Sequence, residues 1–269
     1  MAERVSIIMG IFNCASTLSE AIESILSQTF TQWQLIMCDD GSTDATYSVA
    51  TAYREKYPNK IILIQNEKNM GLNYTLNHCL QYADTEYVAR MDGDDISLPD
   101  RLEKEVDFLD EHPEYAIVSC PMIYFDSAGD FMTGTGCGEP NIKSMARGTP
   151  FCHAPSMVRQ EAYKAVNGYS VSPQRLRVED WDLWIRMYEK GFRGYNISEP
   201  LYKMRDDREA YHRRAMKYRL NEARVTLSAI KKLKLSKKNY IFVLRPLVLG
   251  LLPGRFYTFL HKNRSKFRR

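Results

Sequence analysis

The chain has 269 residues, 44% of them hydrophobic and 26% charged, which is enough for one domain of roughly 200 residues or more plus an appendage, without disulfides or a structural metal as staples. Its six cysteines form no CxxC pair and several sit in apolar strand-like runs, so a disulfide framework is excluded and a reduced, cytosolic protein is predicted. Glu3 and Arg4 lead straight into a short apolar run, and nothing in MAERVSIIMG predicts export.

Short apolar runs rich in β-branched residues alternate with amphipathic stretches. In chain order they are Val5 to Met9 then Leu18 to Leu26, Leu35 to Cys38 then Ala45 to Tyr57, Ile61 to Ile64 then Leu72 to Ala83, and Tyr87 to Met91 then Leu102 to Leu109. Four successive βα units predict an α/β fold with a Rossmann-like, mostly parallel sheet flanked by helices. Thr17 and Glu20 are spaced as a capping box for the first helix. A strand-like run from Ala116 to Ile123 follows, then a polar, Gly-rich segment from Asp126 to Thr149. Its GTGCG has no strand before it and no helix after it, so it reads as loop and not as a dinucleotide cradle. Phe151 to Val158 is strand-like again. Trp181, Trp184, Ile185 and Tyr188 mark one face of a helix, and a charged helical stretch runs from about Arg208 to Lys232.

The formal charge of +4 conceals an asymmetry. Residues 231–269 hold twelve of the 37 Lys and Arg and none of the 33 Asp and Glu, which leaves residues 1–230 at −8. The tail's apolar stretch from Tyr240 to Leu252 is too short to span a bilayer and is interrupted by Pro246 and Pro253. Basic residues surround it, and Phe256, Tyr257, Phe259 and Leu260 extend its apolar character. That composition predicts a basic amphipathic helical tail held at an anionic membrane surface, at the inner face of the cell membrane, rather than a nucleic-acid-binding arm. Packing of the tail on the body is the competing expectation. The domains are thus drawn at 1–230 and 231–269.

In an open parallel sheet, ligands gather beyond the carboxyl ends of the strands. Gly10, Phe12 and Asn13 follow the first strand, Asp39, Asp40 and Asp44 the second, and Asp92, Asp94 and Asp95 the fourth. So many carboxylates on one rim repel unless a cation compensates them. Asp92 and Asp94, two apart on a glycine-containing turn, can offer hard oxygens to Mn2+ or Mg2+, which keep positions open for phosphate oxygens.

Five ordered blocks, VSIIMGIFN, DDGSTD, NMGLN, RMDGDD and EDWDLWIR, together resemble the motif series of the inverting family 2 glycosyltransferases with the GT-A fold, over roughly residues 4 to 205. The resemblance implies transfer of a sugar from a nucleotide-sugar donor to a hydroxyl of a glycan or polyprenyl-diphosphate-linked acceptor in bacterial capsule, O-antigen or cell-wall polysaccharide synthesis. It places Gly10, Phe12 and Asp40 around a nucleoside, most simply uridine, with Asn69 and Arg90 nearby. It assigns Asp92 and Asp94 to the DxD element, contacting ribose and the metal-diphosphate, and makes Asp180 the catalytic base. The chain departs from the commonest form, which has a proline near Met9 and Gly10 and often a tyrosine at position 12. A sugar-1-phosphate nucleotidyltransferase would need a Gly-rich loop with basic phosphate ligands, which Gly10 to Ser16 lacks. A non-catalytic nucleotide-sugar-binding scaffold is disfavoured by Asp92, Asp94 and Asp180.

Other polar residues have plainer readings. Ser42 and Asp44 are expected to cap a helix, Asp95 to bond the backbone of its own turn, and Asp182 to pair with Arg186 four residues on. Glu179 orients its loop or contacts acceptor. His153 faces either acceptor or core and stays among the candidate substrate contacts. His212 and the pair Asp206 and Asp207 belong to the following helix, and Trp33 to loop packing.

Overall fold

The structure, a computed structural model, describes residues 2–206 and 216–251. The four βα units are present. Strands β1 (Val5–Ile11), β2 (Trp33–Asp39), β3 (Ile61–Gln65) and β4 (Tyr87–Arg90) alternate with helices α1 (Leu18–Leu26), α2 (Thr46–Lys56), α3 (Leu72–Leu80) and α4 (Arg101–Glu111). A two-residue strand, β5 (Ile96–Ser97), lies between β4 and α4. Trp33, expected in a loop, is the buried first residue of β2, with the Lys60 ammonium 5.0 Å from its ring.

The run from Ala116 to Ile123 is two strands, β6 (Ile117–Ser119) and β7 (Met122–Asp126), in two different sheets. Pro121 lies between them, and a residue with no N–H cannot continue a ladder. A hairpin partner, β8 (Gly129–Thr133), occupies the start of the segment expected as loop. The rest of the chain supplies β9 (Met157–Arg159), α5 (Gln160–Ala165), α6 (Glu179–Glu189), β10 (Gly194–Asn196), β11 (Tyr202–Arg205), α7 (Met216–Lys232) and α8 (Ile241–Leu251). The start of the expected long helix, with His212 and Asp207, lies outside the described residues.

The main sheet has the order β10-β6-β9-β4-β1-β2-β3. Its pairs are parallel except at β9, which runs antiparallel to both β4 and β6. Helices cover both faces. Leu18, Ile22 and Ile25 of α1 pack with Leu102, Val106 and Leu109 of α4 against one side. Leu76 and Cys79 of α3 pack with Leu183, Trp184 and Met187 of α6 against the other. Each such Leu or Ile contributes about 1.5–3 kcal/mol by leaving water, which is why the periodic faces located these helices in the sequence. The second sheet, β5-β11-β7-β8, stands beside the carboxyl end of β4. Helix α7 rests on α6 through Val225 and Ala229, packed with Ile185 and Trp181. All six cysteines are free thiols.

Candidate active site

Strand order reverses at β1, whose neighbours are β2 and β4, so the loops after these strands frame a crevice. They are stitched together. Asn13, in a left-handed conformation (φ 48°), accepts the Thr43 N–H at 2.9 Å, while its own N–H reaches Ser42 Oγ at 3.0 Å. Asp44 accepts from the N–H groups of Ala15 and Thr46, one residue ahead of the cap position of α2, which is Ala45. Gly41 (φ +70°) is required twice over, because a Cβ there would also lie 2.8 Å from the Lys68 backbone. That close approach brings exposed Asn69 beside the DDGSTD loop. Gly10 fits tightly against α3, with Thr75 Cγ2 3.1 Å from where a Cβ would be. Phe12 is 44% exposed.

Asp40, expected at a nucleoside, has both carboxylate oxygens engaged. It accepts from the N–H groups of Met70 and Gly71 and from Asn66 Nδ2, each at 2.8 Å. The carboxylate sits at the positive end of α3 and fixes the 66–71 loop there. Its neighbour Asp39 accepts from Ser42 N–H and Gln65 Nε2 through one oxygen, while the other, Oδ1, is buried without a hydrogen-bond partner.

The acidic turn follows β4 and packs against the end of β1, where Gly93 leaves only 3.0 Å between a would-be Cβ and Cys14 Sγ. Thr17, expected to cap α1, makes no cap bond. Its hydroxyl lies 3.0 Å from the Gly93 carbonyl and 3.2 Å from that of Cys14, because Thr17 already has helical φ and ψ and turns its side chain toward the acidic turn. Its expected partner, Glu20, pairs with Arg205 at 2.5 Å. The Asp95 carboxylate is not spent on its own turn but accepts the Arg205 N–H of β11 at 2.8 Å. Burial and the charges of Asp92 and Asp94 push Asp95 up to about 8, and burial with Asp92 also raises Asp94. Asp94 is exposed and Asp92 half-buried.

Arg90 joins this turn to the far side of the crevice. Its guanidinium is 5% exposed, with Nη2 2.5 Å from Asp92 Oδ1 and Nε without a partner. Burial opposes its charge, but Asp92 together with Tyr169, Tyr202 and Asp95 more than compensates. The same charge acts on Glu179 and Asp180, the first two residues of α6. Burial raises the Asp180 carboxyl above the ordinary aspartate range, against the Trp181 N–H and the Thr149 hydroxyl, which favour its ionised form. Burial and Asp180 raise Glu179. His153 Nε2 bonds the Tyr169 hydroxyl at 2.8 Å, and burial together with Arg90 holds its imidazole well below its usual range, so it is neutral. Asp182 is turned away and pairs with Arg186 at 2.8 Å, as its spacing predicts.

Several residues of this site carry no local signal in the sequence. The Asp92 N–H donates to the Tyr202 hydroxyl, and Arg205 Nε donates to the Asp94 carbonyl. Arg101 Nη2 holds the Arg90 carbonyl at 2.9 Å while its Nε pairs with fully buried Glu105. These contacts come from β11 and α4, and only the tertiary fold brings them to β4.

The chain matches the family model described as Glycosyl transferase family 2 over residues 6–166, and that described as Glycosyl transferase family group 2 over residues 87–261. It is 46% identical over 261 residues to the putative glycosyltransferase EpsE of Bacillus subtilis (strain 168), covering 97% of this chain and 94% of that one. It is 30% identical over 198 residues to WfaP of Escherichia coli, named a UDP-Glc:alpha-D-GlcNAc-diphosphoundecaprenol beta-1,3-glucosyltransferase, covering 73% and 74%. Its fold is similar to that of the mannosyltransferase PcManGT from Pyrobaculum calidifontis in complex with GDP-Man and Mn2+, with a TM-score of 0.64 at 17% identity, covering 100% and 82%. An acidic turn at the switch point of a GT-A sheet and a family match over more than half the chain agree: this protein belongs to glycosyltransferase family 2, of the bacterial polysaccharide type, and is a glycosyltransferase.

Proposed function

We propose that this enzyme transfers a sugar from a UDP-sugar, with inversion, to a hydroxyl of a glycan carried on a polyprenyl diphosphate, in synthesis of a bacterial capsule, O-antigen or other cell-wall polysaccharide. The observation that carries the reading is Arg90, whose buried charge lies between the Asp92–Asp95 turn and the Glu179–Asp180 pair. One cation thereby ties the donor-phosphate side of the crevice to the base. Gly10, Phe12, Asn13 and Asn69 frame the nucleoside end, with Asp40 fixing the loop that carries Asn69.

The residues fit a divalent cation, Mn2+ or Mg2+. The turn offers carboxylate oxygens crowded enough that Asp92 raises Asp94 and both raise Asp95, and Asp94 is exposed. No group of three or more His, Cys, Asp or Glu side chains poised for a metal exists among the described residues. Asp92 and Asp94 would hold the ion and leave its other positions to diphosphate oxygens and water. Bound there, the ion supplies charge against the leaving diphosphate. Asp180 takes the proton of the acceptor hydroxyl while that oxygen bonds the anomeric carbon and the bond to the diphosphate oxygen breaks. Glu179 and His153 border the acceptor. Substituting Asp94→Asn should abolish the Mn2+-dependent part of UDP-sugar binding, measured by calorimetry, with the fold intact. Unchanged metal-dependent affinity would remove Asp94 from the site.

A membrane-facing tail suits a lipid-linked acceptor. No helix among the described residues is long and apolar enough to cross a membrane. Helix α8 is two-faced. Inward, Pro246 is buried, Phe242 lies under the Arg147 guanidinium at 4.6 Å, and Gly250 abuts Met216 of α7. Outward, Ile241, Leu244, Val248 and Leu251 are 57–77% exposed at helical spacing. In the chain, Lys231, Lys232, Lys234, Lys237 and Lys238 precede them and Arg245 lies among them. This basic, amphipathic surface is the face for an anionic bilayer, with residues 231–269 as the anchor; residues 252–269 lie outside the described residues. Intact protein should float with anionic vesicles, less so as salt screens its charges over about 8 Å. Because each apolar side chain contributes about 1.5–3 kcal/mol on burial, Leu244→Ser with Val248→Ser should remove most of the salt-resistant binding. An intact protein that never floats would make α8 a packing element alone.

A further inference from the structure

The loop that leads into the base-bearing helix is built more firmly than a connection requires. Asn73 and Asn77 of α3 donate to the carbonyls of Ser170 and Tyr169, and Ser170 Oγ donates to Asp182. Ser172 accepts the Gln174 N–H at the start of a short turn of helix, Pro173–Arg175. From the other side, Asn221 of α7, itself buried, donates through Nδ2 to the carbonyls of Pro173 at 3.0 Å and Leu176 at 3.1 Å. Pinned at both ends, the loop still displays Val171 and Leu176 at 58% and 44% exposure, and Leu220, beside the clamping Asn221, is exposed too.

Two arginines lie in this loop. The Arg175 guanidinium is spent on Asp182 at 2.7 Å. Arg177 is exposed, with φ at +68°, a left-handed conformation that costs a non-glycine residue free energy. Its backbone N–H favours the ionised form of the Glu179 carboxylate. Strain retained in a pinned loop beside a reacting group is a mark of function. The sequence places Arg177 three residues before Asp180, a span of at most about 11 Å. A sugar hydroxyl at Asp180 therefore leaves the phosphate on the far side of that sugar within reach of the guanidinium. Glu179 and Asp180 would repel that phosphate without a nearby cation.

We propose that Arg177 is the acceptor-phosphate residue: its guanidinium binds the diphosphate of the lipid-linked acceptor, while Val171, Leu176 and Leu220 receive the first segment of its hydrocarbon chain. This rests on the transfer reading above and names the subsite for its acceptor. Helix α7 holds the loop through Asn221 and carries α8 against it, so the subsite and the membrane-facing stripe share one support.

The test uses the full chain saturated with UDP and Mn2+, so that the donor site is filled, and titrates undecyl diphosphate against it, with undecyl maltoside as a phosphate-free control. Hydrogen bonds to a charged group are worth enough to predict roughly 10- to 100-fold weaker undecyl diphosphate binding in Arg177→Ala and Arg177→Gly. UDP affinity and maltoside binding should match wild type. Glycine suits the left-handed backbone, so Arg177→Gly should keep or raise Tm, and its loss of affinity then reads the guanidinium and not the loop. Wild-type affinity in Arg177→Gly, equal losses for the two lipids, or no binding of undecyl diphosphate by wild type overturns the assignment. Failure of wild type to bind any UDP-sugar with Mn2+ would instead sink the transfer reading itself.

Discussion

Replacing Asp180 with asparagine lowers sugar transfer by roughly 10²- to 10⁴-fold, the range for loss of a general base, and leaves donor binding near wild type. The acceptor hydroxyl must lose its proton as it attacks, and an amide cannot take it. Asp180 suits the task because burial raises its pKa, which makes it a stronger base than a surface aspartate, while the Trp181 N–H, the Thr149 hydroxyl and the charge of Arg90 favour its ionised form. The sign of the pH dependence follows. The active form is the carboxylate, so transfer falls as pH drops through the raised pKa, and the acid limb of kcat/KM lies above the ordinary aspartate value of about 3.9. Rates across pH for wild type, beside single-turnover transfer by Asp180→Asn, measure both. Wild-type turnover in the variant would dismiss Asp180 as the base.

Asp182→Asn, two residues on, should damage the fold and spare the chemistry. Its carboxylate is 2% exposed and accepts from Arg175 Nε at 2.7 Å, Arg186 Nε at 2.8 Å and Ser170 Oγ at 2.7 Å. Removing the charge strands two part-buried guanidiniums, and breaking a buried pair costs about 3–5 kcal/mol. Burial acts against the ionised form, but the Ser170 hydroxyl, Arg186 and Arg175 together hold the pKa below the usual value. A depressed carboxylate stabilises the fold above its unfolded pKa, about 3.9, and that contribution disappears as pH falls through the lower folded value. Urea unfolding should therefore show the full deficit of the variant at pH 7 and a shrinking one below about pH 4. A deficit under about 1 kcal/mol at pH 7 would mean that the arginines find other partners.

The first four βα units were legible because each helix buries a periodic face, as Leu18, Ile22 and Ile25 do, and each strand is a short β-branched run. The antiparallel β9 was not. Its three residues find their place only through β4 and β6, pairings between segments tens of residues apart in the chain. The acidic turn and the Glu179–Asp180 pair were legible as motifs, since their chemistry is local. What holds them was not, because Tyr202, Arg205 and Arg101 reach the turn by tertiary register alone. Asp40 shows the limit at one residue. An aspartate after a strand serves a ligand or a helix end equally well, and only the position of the 66–71 loop decides. Arg177 gave no signal at all, since a left-handed arginine looks like any other in sequence.

The Pro121 break bears on where this enzyme can change length. Beyond it the chain forms β8, every residue of which is exposed and which, among the described residues, has β7 as its one strand partner. The tip of that hairpin, at Ala128 and Gly129, is exposed and follows Phe125, on which Arg205, the residue that bonds the acidic turn, is stacked. Insertions are tolerated where the affected backbone is exposed and few contacts cross. Extra residues, an epitope or a small appended domain can be spliced in there at the rim of the acidic turn, so this hairpin is a part of the molecule open to acquiring a new module.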